Sequence, residues 1–144
     1  MTKIEKSIEI KASPEKVWPM ITWDRIPEWY DPYKKVEWTS KDKYTVGSTV
    51  HITGELAGSK AEMDAETTEY KENEKVAWRT TGGMKGTGYA ALSPTETGTK
   101  VTIIMDYELP YSVLGKLIDK LRVHKAIDKS FDVAYEKLKD MLEK

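Results

Sequence analysis

Few side chains in this sequence could move a proton near neutral pH. There are two histidines, His51 and His124, and no cysteine. An imidazole titrates near pH ~6.5, so either ring could act as an acid, a base or a hydrogen-bond partner of a ligand. His124 falls on the apolar side of a C-terminal helical pattern, and Asp128 follows one turn later. That i, i+4 spacing would let the carboxylate orient the ring, although such pairs are commonly plain surface electrostatics. His51 alternates with Val50 and Ile52 in a strand-like run, which turns it toward solvent without a role. Glu62, Asp64 and Glu66 recur at every second residue and form an acidic row. Calcium needs oxygens converging from a loop, whereas a strand spreads them in a line, so the row reads as a solvated face. The run Gly86-Thr87-Gly88-Tyr89-Ala90-Ala91 fits G-x-G-x-x-A. A dinucleotide fingerprint must leave a strand and open a helix, and this run enters a strand instead. No P-loop, metalloprotease helix motif or G-x-S-x-G occurs. Without cysteine there is no disulfide, thiol nucleophile or cysteine zinc site. The expectation is no metal and no cofactor.

The rest of the inventory is rich in amphipathic aromatics. Five Trp and eight Tyr stand against one Phe. Each such ring is a large apolar body with one polar handle. Lys and Arg number 23 and Asp and Glu 24, a formal net charge of −1. That balance gives no electrostatic case for nucleic acid or an anionic membrane surface. The longest uncharged stretch, residues 44–54, falls far short of the ~18 apolar residues of a spanning helix. The first six residues carry charges where a signal peptide needs an apolar run. A cytoplasmic protein is therefore expected, with 144 residues forming a single domain.

The elements that must position these side chains follow from periodicity. Residues 3–11 alternate as a strand with Ile4, Ile8 and Ile10 on one face. Ser13-Pro14-Glu15 is a helix-start signal, and a short helix should run to about Thr22. A second turn or short helix spans 25–30. Six strands are then expected, at 33–40, 48–55, 60–70, 75–81, 87–92 and 100–109, separated by polar or glycine-containing turns. One face is apolar and the other mostly charged, so one antiparallel sheet covered on one side is expected. A helix over 112–142 supplies the cover. Its apolar stripe drifts around the axis, which predicts a bend, a break or a change of contact partner near 122–125.

Particular phrases carry a resemblance over the full chain. They are Ile10-Lys11-Ala12-Ser13-Pro14-Glu15-Lys16-Val17-Trp18, Ile26-Pro27-Glu28-Trp29-Tyr30, Val46-Gly47-Ser48-Thr49-Val50, Thr97-Gly98-Thr99-Lys100-Val101-Thr102 and Leu138-Lys139-Asp140-Met141-Leu142-Glu143. The chain resembles the START and birch-pollen-allergen superfamily, SRPBCC, and most of all its polyketide cyclase/dehydrase and coenzyme Q-binding branch. The resemblance implies an α+β helix-grip fold. A curved antiparallel sheet of about seven strands wraps a long C-terminal helix, with two short helices between strands 1 and 2. It also implies a hydrophobic cavity between sheet and helix.

Strand alternation gives the inward set. Gly54, Ala61, Ala65 and Ala91 leave volume, and Trp38, Trp78, Tyr89 and Tyr107 surround it. The same residues could equally form a packed core in which small side chains let a bent sheet approach the helix; the resemblance favours the cavity. Expected ligand-binding residues are Trp38, Ile52, Met63, Trp78, Tyr89, Met105, Tyr107, Leu121 and His124. Expected rim residues are Trp29, Tyr30, Met84 and Tyr111, on turns that include Gly82-Gly83. Two functions stay open. One is binding or transport of a lipid, an isoprenoid quinone or a polyketide-like aromatic. The other is a cyclase or dehydratase in the same cavity, which needs an acid/base pair that the inward strand positions lack. The expected partner is a hydrophobic small molecule, with no nucleic acid and no membrane span, and the chain is a monomer or weak dimer.

Overall fold

The computed structural model describes residues 2–56, 58–108 and 120–143. Seven strands form one antiparallel sheet in the order β1-β7-β6-β5-β4-β3-β2. They are β1 (Thr2–Ile10), β2 (Tyr33–Trp38), β3 (Thr49–Leu56), β4 (Ser59–Lys71), β5 (Lys75–Gly82), β6 (Lys85–Pro94) and β7 (Thr99–Glu108). β2 to β7 are consecutive hairpins, and β1 closes the far edge against β7. Helix α1 (Pro14–Ile21) and a 3₁₀ helix (Trp23–Glu28) cross between β1 and β2. Helix α2 (Lys120–Leu142) lies against the concave face. This is the expected helix-grip arrangement. The expected helix start near residue 112 and the side chain of Tyr111 lie outside the described residues, as does the side chain of Leu121. No described helix is long and apolar enough to cross a membrane.

Of the alternatives expected near 122–125, a break does not occur: helix α2 runs unbroken there. Val123 joins Ile127, Phe131, Ala134, Tyr135 and Leu138 in one buried stripe. One expectation needs correction, on β6. Ala90 and Leu92 are buried on the concave face, which puts Tyr89 and Ala91 on the convex one. The cause lies across the ladder. Trp78 of β5 pairs with Gly88, and a Cβ on Gly88 would sit 2.6 Å from the Trp78 ring. The indole occupies the space that a side chain at 88 would need, so the glycine faces inward. Tyr89 instead stands over the charged face, with the Lys75 ammonium 4.5 Å from its ring centroid.

Contacts with β1 and with the loop before β2 fasten α2 in place. Lys6 shares the inward parity of Ile4 and Ile8 and reaches Asp128 and Asp132 of the helix, both at 3.0 Å. Tyr135 donates to the Lys6 carbonyl at 3.3 Å, and Lys137 pairs with Asp31 at 3.2 Å.

The convex face carries the acidic row. Arg79 bonds Glu66 at 2.7 Å. His51 places Nδ1 2.7 Å from Asp64 and Nε2 3.6 Å from Glu62, with Glu37 opposite it on β2. The hydrogen bond to Asp64, foremost, holds the imidazole pKa above its ordinary value of 6.5. A histidine with a raised folded-state pKa adds stability that is full below its unfolded value and is lost as pH rises through the folded one. Urea unfolding should therefore show His51 helping at about pH 6 and not at about pH 8. His51→Gln should flatten that difference; an unchanged pH profile would refute the assignment.

Candidate functional site

The concave face is not filled by side chains. A cavity of about 280 Å³ lies between the sheet and α2. Its described walls come from Tyr30, Pro32 and Tyr33, from the β3–β4 hairpin, from the β5–β6 turn and from β7, with Ile127 of α2 as a cover. Ile52, Met63, Trp78, Met84, Met105 and Tyr107 supply much of its apolar surface. A smaller space of about 50 Å³ lies deeper, and Tyr30, Tyr33, Trp78 and Met105 line both.

Local constraints create this shape. Gly54 lets the Pro32 carbonyl lie directly on β3, where any Cβ would collide with it. That contact brings Tyr33 to the cavity. At the other side Gly83 has φ of 83°, and its Cα packs on the Glu62 carbonyl of β4. Thr80 ties the same turn by accepting from the Gly86 amide at 2.8 Å. Three methionines, Met63, Met84 and Met105, share the wall, and unbranched thioethers adapt to irregular shapes.

Polar handles are placed around the apolar rings. The Tyr107 hydroxyl lies 2.8 Å from His124 Nδ1, and the two rings stack. Burial pushes the Tyr107 phenol above its ordinary value. Tyr30 stacks on Phe131 and bonds Ser130 at 3.3 Å, and burial lifts its phenol to about 12. Trp29 is buried and donates to the Met20 carbonyl at 2.7 Å.

Of the sequence-derived candidates, Ile52, Met63, Trp78, Met105, Tyr107 and the turn residue Met84 are brought together at the cavity. Others are not. Trp38 lies near the end of an edge strand, donates to Asp24 at 2.5 Å and packs edge-on against Tyr44, away from the cavity. Tyr89 faces outward. Trp29 and Tyr30 are buried walls rather than rim, because the 3₁₀ helix tucks them under Phe131. His124 bonds the wall residue Tyr107, and Asp128 is engaged by Lys6 rather than by the imidazole. Ala65 is packed among Trp23, Val50 and Ile52, so it leaves no cavity volume. Sequence reasoning did not name Tyr33 or Ile127 as site residues, and it read Thr80 as inward without giving it a role. Ile127 was legible from the helix stripe, whereas Tyr33 was hidden by an irregularity in β2. Among the described residues no group of three or more His, Asp or Glu side chains could hold a metal ion.

The family model described as polyketide cyclase/dehydrase and lipid transport matches residues 1–143. An uncharacterized 17.2 kDa protein of Streptomyces lincolnensis is 30% identical over 124 residues, covering 84% of this chain and 78% of that protein. Among solved structures, a START superfamily protein from Mycobacterium smegmatis superposes with a TM-score of 0.79 at 16% identity, covering 98% of this chain and 97% of the other. A Streptomyces aromatase/cyclase gives 0.76 at 12% identity, with 99% and 93% covered. A Thermus thermophilus protein gives 0.80 at 17% identity, with 98% and 97% covered. At these identities the likeness to the solved structures is one of fold.

The two turn glycines beside the cavity separate cleanly. A Cβ on Gly82 would meet only the Asp64 carboxylate at 2.8 Å, and that side chain can swing away. A Cβ on Gly83 would strike backbone, at a φ that L-residues rarely adopt. Gly83→Ala should therefore destabilise by more than about 1 kcal/mol and Gly82→Ala by less, read from urea midpoints. Equal effects would show that the turn is not held against β4.

Proposed function

We propose, from the premise that the chain belongs to the polyketide cyclase/dehydrase and lipid transport family, that it binds a hydrophobic small molecule in the cavity under α2. The ligand class is a lipid, an isoprenoid quinone or a polyketide-like aromatic. The observation that carries the reading is the cavity itself. Its volume of about 280 Å³ is near the lower end of the roughly 300–1,000 Å³ usual for ligand pockets, and apolar and aromatic side chains dominate its described walls. A largely apolar space of this size leaves its walls short of dispersion partners, and an apolar guest supplies them.

Filling the space tests this reading. Met63→Trp puts an indole where the thioether lines the cavity. Nile red should bind the wild-type protein and lose at least about 10-fold in affinity in this variant, whose far-ultraviolet circular dichroism should be unchanged. Unaltered binding would mean that the dye, and by extension the ligand, sits elsewhere.

One observation favours a second reading, a cyclase or dehydratase in the same cavity: the hydrogen bond between Tyr107 and His124 at the wall. A phenol and an imidazole in contact can pass a proton. Against it stands the engagement of Asp128, the carboxylate one turn along the helix, by Lys6. His124→Ala distinguishes the readings. In a binder it should weaken ligand binding by about 0.5–1.5 kcal/mol, the worth of one hydrogen bond. In an enzyme it should spare binding and lower turnover roughly 100- to 10,000-fold.

A further inference from the structure

We propose that the deep wall of the cavity receives a neutral carbonyl-type oxygen, with the Tyr33 hydroxyl and the Trp78 indole N–H as the donors that meet it. The inference rests on the binding reading above and names the chemistry that the ligand must carry.

Hydrogen-bond accounting leads to it. Four of the five tryptophans have a partner for the indole N–H. Trp18 donates to Tyr70, Trp23 to Thr67, Trp29 to the Met20 carbonyl and Trp38 to Asp24. Trp78 donates to none of the described residues, although it stands on the inward face of a central strand. The Tyr33 hydroxyl likewise has no partner among the described residues, whereas Tyr30 beside it bonds Ser130. Yet no described buried side-chain nitrogen or oxygen lacks a hydrogen-bond partner. Both atoms therefore keep some accessible surface. Tyr33 and Trp78 each line both cavities, which puts the two residues on the wall that a bound molecule would touch.

The donors that remain define what can meet them. An indole N–H donates and never accepts, so its partner must be an acceptor. Burial raises the Tyr33 phenol well above its ordinary value, which keeps it a protonated donor across the physiological range. The neighbouring hydroxyls are already committed. Ser130 donates to the Ile127 carbonyl at 2.6 Å and so takes the Tyr30 proton. Thr80 is closed on Gly86, and Tyr107 on His124. A carboxylate is disfavoured as the acceptor. The one cationic side chain among the described lining residues, Lys60, sits in the β3–β4 hairpin beside Glu55 and Glu62. An ionised group taken deeper would lose its hydration with no second cationic charge among the described lining residues to replace it. A ketone, quinone or ester oxygen on an otherwise apolar ring system fits both donors at no such cost.

Three probes of similar outline test this by titration calorimetry with the full chain: menadione, methylnaphthalene and naphthoate. Menadione should bind roughly 3- to 100-fold more tightly than methylnaphthalene, the range expected for one or two hydrogen bonds. Naphthoate should bind more weakly than menadione. Tyr33→Phe keeps the ring and removes the hydroxyl, so it should narrow the menadione advantage and leave methylnaphthalene unchanged. The Trp78 indole N–H resonance, assigned by Trp78→Phe, should shift downfield with menadione and not with methylnaphthalene. Equal affinity for menadione and methylnaphthalene overturns the inference and leaves the binding reading intact. So does preference for naphthoate, or an advantage that survives Tyr33→Phe with the Trp78 resonance unmoved. Binding of no probe overturns the binding reading, and this inference with it.

Discussion

A seven-stranded sheet is wider than one helix. At ~4.8 Å between strands the sheet spans about 29 Å, and a helix with its side chains is only ~10–12 Å across. No single helix can cover such a face, and the exposed remainder would be an apolar patch too large to leave in water. The sheet therefore curls around α2, and the segment between β1 and β2 covers what α2 does not. Trp18, Trp23, Trp29 and Tyr30 do this work from α1, the 3₁₀ helix and the loop that follows. Their burial accounts for much of the core at that end. Among the described residues, the cavity is the space left under Ile127 and between the tips of two hairpins.

The covers stay in place because their polar handles are satisfied at definite points. The Trp29 indole is held by the Met20 carbonyl, and Trp23 by Thr67, which Ser48 also bonds at 3.0 Å. Such bonds contribute modestly when made, but breaking one strands a buried donor at about 1–3 kcal/mol. Aromatic contacts around Tyr30, edge-on to Tyr33 and stacked on Phe131, each add about 0.5–1.5 kcal/mol beyond the area that they bury. The wall of the cavity is thus fixed from behind. The methionines in front of it are its adaptable part.

Strand order and face were legible wherever alternation was uninterrupted. β3, β5 and β7 present the expected residues inward, from Val50 and Ile52 to Val76 and Trp78 to Ile103 and Tyr107. The reading failed at three kinds of place, each with a physical cause. On β6 the choice lay between a face with glycines and a face with Tyr89. Hydrophobicity favours the tyrosine, but the neighbouring Trp78 ring needs the room that Gly88 leaves. On β2 an irregularity between Tyr33 and Lys35 shifts the register, so counting back from Trp38 and Val36 assigns Tyr33 to the wrong face. At the edge, Trp38 is on the expected strand, but its carboxylate partner Asp24 comes from a segment distant in sequence. None of these can be read from local pattern, because each depends on what stands opposite.

The same logic bears on chemistry. An acid/base site needs a titrating group and a second group that holds it, both open to substrate. Here the two histidines are divided between the two sides of the sheet. His51 is braced by carboxylates on the convex face. His124 is near the cavity but bonded to a phenol, and the carboxylate one turn away is drawn to Lys6. Lys6 reaches Asp128 because it occupies an inward position on β1, a lysine among isoleucines. That inward lysine fastens the helix to the sheet and in the same act takes from His124 the partner that its sequence spacing had offered. The clamp thus ties α2, which carries the cover Ile127, to the edge of the sheet.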